Sequence, residues 1–135
     1  MNKENTEPQT SDAPATNTLV VEPNLTHKEY TLVIWSHLLG LFTLGIFPLK
    51  VYLQHRKSKP FVAFHALQSL LMSIPILGSL AISTRFVAPL NIIYIYACTT
   101  FWGVLALVAA AKANQGYWFE LPLFGRVAKK MMEGK

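Results

Sequence analysis

From Tyr30 to Phe119 the chain contains no Asp and no Glu; its seven acids, Glu4, Glu7, Asp12, Glu22, Glu29, Glu120 and Glu133, all lie outside that stretch. A soluble domain solvates its surface with both signs of charge and does not leave so long a run without carboxylates. A bilayer protein can, because an ionised Asp at the centre of a span costs roughly 2.5–3.5 kcal/mol on insertion. Three apolar runs lie inside the acid-free stretch. They cover residues 30–49, 61–84 and 89–111, closed by Lys50, Arg85 and Lys112. Each is near the roughly 20 residues that cross a 30 Å hydrocarbon core at 1.5 Å per residue. The expected fold is an all-α membrane protein with about three transmembrane helices and a short C-terminal interfacial amphipathic helix.

Residues 1–28 read differently. They are rich in Asn, Thr, Pro, Ser, Glu and Gln, and up to Glu29 they set Lys3 and Lys28 against five acids. Such a segment buries too little apolar surface to offset its ordering entropy, so a disordered acidic tail is expected. It lacks the basic start and apolar run of a signal peptide, and its acids and missing Arg do not suit a transit peptide. Within the spans, Pro60 suits the first turn of a helix, with Ser58 as a plausible cap. Pro75 lies mid-span and is expected to kink its helix. Gly45 and Pro48 weaken the end of the first span, which leaves open a second form in which it dips and bends rather than crossing straight.

Residues 117–135 carry an aromatic cluster, Tyr117, Trp118 and Phe119, of the kind that anchors at a membrane–water boundary. Phe124, Val127, Ala128, Met131 and Met132 then recur at helical spacing, opposite Arg126, Lys129, Lys130 and Glu133. The pattern predicts a basic amphipathic helix lying on the membrane, with a frayed basic tail as the alternative.

The net charge of +5 invites a nucleic-acid reading. The basic residues sit beside apolar spans, however, which suits anionic lipid head groups, and no nucleic-acid partner is expected. Arg56, Lys57, Lys59, Arg126, Lys129 and Lys130 are the candidate head-group contacts. With three spans, Lys50, Arg56, Lys57 and Lys59 share a side with Lys112, Arg126, Lys129, Lys130 and Lys135, against Lys3, Lys28 and Arg85. The positive-inside rule then predicts a bacterial cytoplasmic membrane protein with its N-terminus outside and its C-terminus in the cytoplasm. An even span count, through a hairpin in the first span, would undo that assignment.

Ionisable and polar groups inside spans are the candidates for function. His37 lies in the first span, and His65, Gln68 and Ser69 share a face near the start of the second; together they form a candidate interhelical polar or pore face. If the first two spans form an antiparallel hairpin, His37 sits about 20 Å and His65 about 6 Å from the connecting loop, so the rings fall on the order of 14 Å apart. That is far beyond the roughly 2 Å bonds of a shared zinc ion. Cys98 is the lone cysteine, which excludes a disulfide framework within one chain. No phosphate loop, Ser/His/Asp set or metallohydrolase motif is present, so neither catalytic residues, a metal nor a cofactor is expected. Ser36 and Gly40, Thr99 and Gly103, and Ala106 and Ala110 form small-xxx-small pairs that permit close helix approach.

The run His37-Leu38-Leu39-Gly40-Leu41, Pro48, a basic loop and then Lys59-Pro60-Phe61-Val62-Ala63-Phe64-His65-Ala66-Leu67-Gln68-Ser69-Leu70 carries a resemblance. So does the ending Ala111-Lys112-Ala113-Asn114-Gln115-Gly116-Tyr117-Trp118 followed by Leu121-Pro122-Leu123-Phe124. These motifs resemble a family of short bacterial membrane proteins similar to the small channel-like subunit of the chloroplast Tic translocon, with relatives in magnetosome membranes that influence crystal growth. The likeness covers about Ser36 to Lys130. Members often carry an acid in the first loop and an Asp before the Phe-His pair, where this chain has Ala63. The resemblance and the missing chemistry together point to a non-enzymatic multi-pass accessory or assembly component of a membrane complex, partnered by itself or by another membrane protein. The alternative is an oligomeric channel or transporter-like protein.

Overall fold

A computed structural model describes residue 22 and residues 24–134; the acidic segment expected over residues 1–28 lies outside the described residues as far as residue 21. Five helices follow in order: α1 His27–Phe42, α2 Ile46–His55, α3 Pro60–Ser83, α4 Leu90–Asn114 and α5 Phe124–Glu133. Among the described residues, only α3 and α4 are long and apolar enough to cross a membrane. Their 24 and 25 residues rise about 36 and 37 Å, against a hydrocarbon core of about 30 Å.

The run expected to cross over residues 30–49 is not one helix. It breaks at Thr43–Leu44–Gly45, and its parts, α1 and α2, rise only about 24 and 15 Å. The break has a local cause. Pro48 has no N–H to return to the Leu44 carbonyl, and its ring crowds that turn, so a continuous helix through it is disfavoured. Placed instead in the first turn of α2, the same proline costs little. Gly45 adopts φ +91° and Leu44 φ +50°, reversing the chain, while the Gly45 N–H bonds the Gly40 carbonyl at 3.2 Å. Thr43 completes the turn: its hydroxyl donates to the Leu39 carbonyl at 2.7 Å and accepts from the Phe47 N–H at 3.2 Å.

The reversal fixes the topology. Lys59, at the start of α3, pairs with Glu29, at the start of α1, at 3.1 Å. Further along, Ser69 donates to the Ser36 carbonyl at 2.6 Å and Ser73 to the Gly40 carbonyl at 3.5 Å. Contacts that advance together along both helices mean that α1 runs parallel to α3. α2 then returns antiparallel to α3 and reaches it through residues 56–59. The tip of this α1–α2 hairpin lies beside Leu70 and Ser73, half-way along α3.

α3 starts with Pro60 at its first position and Lys59 at its cap, so Ser58 is not the cap expected, and it continues through Pro75 to Ser83. α4 runs back antiparallel to α3. It buries Ala106, Ala109, Ala110 and Ala113, a narrow stripe of small residues, and exposes Ile93, Tyr96, Phe101 and Leu107. So broad an exposed apolar surface suits lipid, not water. α5 lies across the end of the bundle with Ala128 buried against the α2–α3 core, and Arg126, Lys129 and Lys130 outward. Gly125 is needed there because a methyl group at that position would run into the backbone of Glu120.

One end of the bundle therefore gathers Glu22, residues 24–29, the 56–59 loop and residues 115–134, while Arg85 lies in the loop at the other end. The described part of the N-terminal flank packs at the same end of the bundle as the segment after α4, where the Glu22 N–H bonds the Gly116 carbonyl at 2.8 Å.

Candidate functional site

The half of α3 that faces the hairpin carries a closely packed polar cluster. Ser36, His37, His65, Gln68, Ser69 and Ser73 are all at most 2% exposed. His37 Nε2 lies 3.4 Å from His65 Nδ1, and His65 Nε2 lies 3.1 Å from the Tyr117 carbonyl oxygen. The expected separation of about 14 Å is thus overturned. It assumed that the first two runs formed an antiparallel hairpin, whereas the break at Gly45 sets α1 parallel to α3 and brings the rings level.

The bonds assign the tautomers. A carbonyl oxygen only accepts, so His65 carries its proton on Nε2 and presents an Nδ1 lone pair. His37 must then donate from Nε2, which leaves its Nδ1 as an acceptor. That atom and both amide atoms of Gln68 are buried with no partner. The serines settle into backbone bonds. Ser36 donates to the Leu32 carbonyl at 2.7 Å, and Ser73 also approaches the Ser69 carbonyl at 3.2 Å. Gly40 lets α1 approach this closely, because a methyl group there would collide with the Ser69 hydroxyl.

Aromatic rings enclose the histidines. Phe61 and Phe64 lie edge-on to His65 at centroid distances of 4.6 and 5.2 Å, and each lies 5.3 Å from Trp118. The Trp118 indole N–H in turn donates to the Glu22 carboxylate at 3.0 Å. His65 thus ties α1, α3 and the segment after α4 into one unit. Sequence reading picked out His37, His65, Gln68 and Ser69, all of which meet here. It missed Ser73, the Tyr117 carbonyl, and Glu22 and Glu29 as tethers, since a carbonyl has no sequence signature and the tethers join residues far apart in the chain.

Two neutral imidazoles and an amide can hold elements together or hold water. Among the described residues no group of three His, Cys, Asp or Glu could hold a metal ion. The predicted head-group residues divide. Lys59 is tied to Glu29, and Lys129 to Glu120 at 3.2 Å, while Arg56, Lys57, Arg126 and Lys130 are exposed around α2 and α5. Of the small-residue pairs, Ser36 and Gly40 pack against α3, and Ala106 and Ala110 are buried. Gly103 faces open space.

Residues 28–128, from the first turn of α1 into α5, match the MamF/MmsF family, described as the magnetosome magnetite crystal formation protein family. The chain belongs to that family. Membership and the two long apolar helices agree that this is a membrane protein. The magnetosome side of the resemblance seen in the sequence is supported by the MamF/MmsF match, and the likeness to the translocon subunit is not. No curated protein and no solved structure matches the chain.

Proposed function

We propose that this chain is a multi-pass, non-enzymatic accessory component of a bacterial membrane, acting by assembly with itself or another membrane protein. In keeping with its family's description, the process it serves is magnetite crystal formation, in the cytoplasmic membrane or a compartment derived from it. The observation that carries the reading is the sealed polar cluster. Its hydroxyls bond backbone carbonyls, and His65 joins His37 Nε2 to the Tyr117 carbonyl, so the cluster braces the α1–α2 hairpin against α3. A channel lined by His65, Gln68 and Ser69 would need that face on the outside of each copy, whereas it is buried within one copy. The accessory reading is preferred for that reason.

The basic end, with Arg56, Lys57, Lys59, Arg126, Lys129 and Lys130, faces the cytoplasm and anionic head groups by the positive-inside rule. Glu22 and residues 24–29 then also lie on the cytoplasmic side. No nucleic-acid partner is part of this reading. Purification of a tagged chain from native membranes in mild detergent tests it. A complex larger than one copy, with a stoichiometric partner or with itself, is expected. A lone monomer, or flux through liposomes that is abolished in His65→Ala, would overturn it.

A further inference from the structure

A cavity of about 390 Å³ opens at the basic end between the last turn of α2 and α5, lined by Tyr52, Arg56, Lys57 and Met132. We propose that it is a binding site for the phosphate of an anionic phospholipid head group, with Arg56 and Lys57 holding the phosphate and Tyr52 and Met132 packing against the glycerol. The inference rests on the membrane orientation proposed above. The volume falls within the roughly 300–1,000 Å³ of small-ligand sites.

Charge accounting supports an anion. Among the described residues the ion pairs are Lys59 with Glu29 and Lys129 with Glu120, so neither Arg56 nor Lys57 is neutralised by an acid. Glu22 is held by Trp118. The remaining described acid at this end, Glu133, is exposed one residue beyond Met132. α2 and α5 both end beside the cavity, and each C-terminus brings about half a negative charge. The lining itself carries Arg56 and Lys57 and, among the described residues, no acid, so two full positive charges stand against those partial ones.

The chemistry of the walls favours a lipid over a free anion. Tyr52 is 8% exposed and forms an apolar floor with half-buried Met132. Arg56 follows Tyr52 by four residues, one turn on, so the cation stands above that floor. An ester with a charged head and an apolar stem fits both parts, and a planar guanidinium suits phosphate oxygens in pairs.

The test uses the full chain in nanodiscs of phosphatidylcholine with one quarter phosphatidylglycerol, followed by native mass spectrometry to count lipids retained on release. Retained phosphatidylglycerol is expected for the wild type, about tenfold less for Arg56→Gln/Lys57→Gln, and little change for Arg126→Gln/Lys130→Gln. Met132→Trp, which fills the cavity at constant charge, is expected to lose retention as well. Equal loss in both double variants would overturn the site while leaving the broader attraction to anionic lipid standing. No preference for phosphatidylglycerol in the wild type would overturn both. Glycerol phosphate at millimolar concentration is expected not to displace the lipid; full displacement would overturn the lipid as occupant.

Discussion

At the scale of single residues, His65 and Glu29 do the most to hold the basic end together. His65 donates to the Tyr117 carbonyl and accepts from His37, so His65→Leu strands a buried donor and a carbonyl at once. Orphaned polar groups cost about 1–3 kcal/mol each in water-soluble cores, and interhelical bonds in membranes average nearer 0.6 kcal/mol. A loss of about 1–2 kcal/mol is expected, read by denaturant unfolding in detergent. Glu29 gives a pH signature. Its carboxyl is lowered from 4.5 to about 2, first by the Thr26 backbone N–H, then by the Thr26 hydroxyl and by Lys59. With the folded value below the unfolded one, the stabilisation is complete above about pH 4.5 and fades as the pH falls towards 2. In Glu29→Gln that acid-side decline is expected to shrink, which unfolding curves between pH 5 and pH 2.5 will read.

At the scale of elements, the hairpin is decided at Gly45. A side chain there must adopt φ +91° and would meet Leu70 Cδ1 and Ser73 Oγ at 3.0 Å. Strain of this kind costs on the order of 1–3 kcal/mol, so Gly45→Val is expected to loosen α1 from α3. Hydrogen exchange in nanodiscs will show it as faster exchange in residues 36–44, with α4 unchanged. This element also marks where the sequence was legible. α3 and α4 lie on the apolar runs at 61–84 and 89–111 because a span announces itself locally, through length and hydropathy. The run at 30–49 carried its breakers, Gly45 and Pro48, in plain view. Their consequence was not visible, because a glycine and a proline mark a bend without giving its angle. The direction of α1 is set by Glu29 with Lys59 and by Ser36 and Gly40 with Ser69 and Ser73, partners about 30 residues apart that no local pattern pairs.

At the scale of the whole molecule, an acid-free middle, two long helices and a half-depth hairpin leave one heavily basic end and one nearly uncharged end. The polar cluster was legible as residue types, His37, His65, Gln68 and Ser69, but its closure was not, because it depends on that hairpin. The same reversal places the flank before α1 on the side of the C-terminal helix. Cysteine labelling with a membrane-impermeant maleimide, in a Cys98→Ser background, tests this most directly. Single cysteines at Asn24, Ser58 and Glu133 are expected to label from one side of the membrane, and a cysteine at Thr84 from the other. Asn24→Cys labelling together with Thr84→Cys, opposite Ser58→Cys, would mean that α1 and α2 cross as one span and would contradict the account.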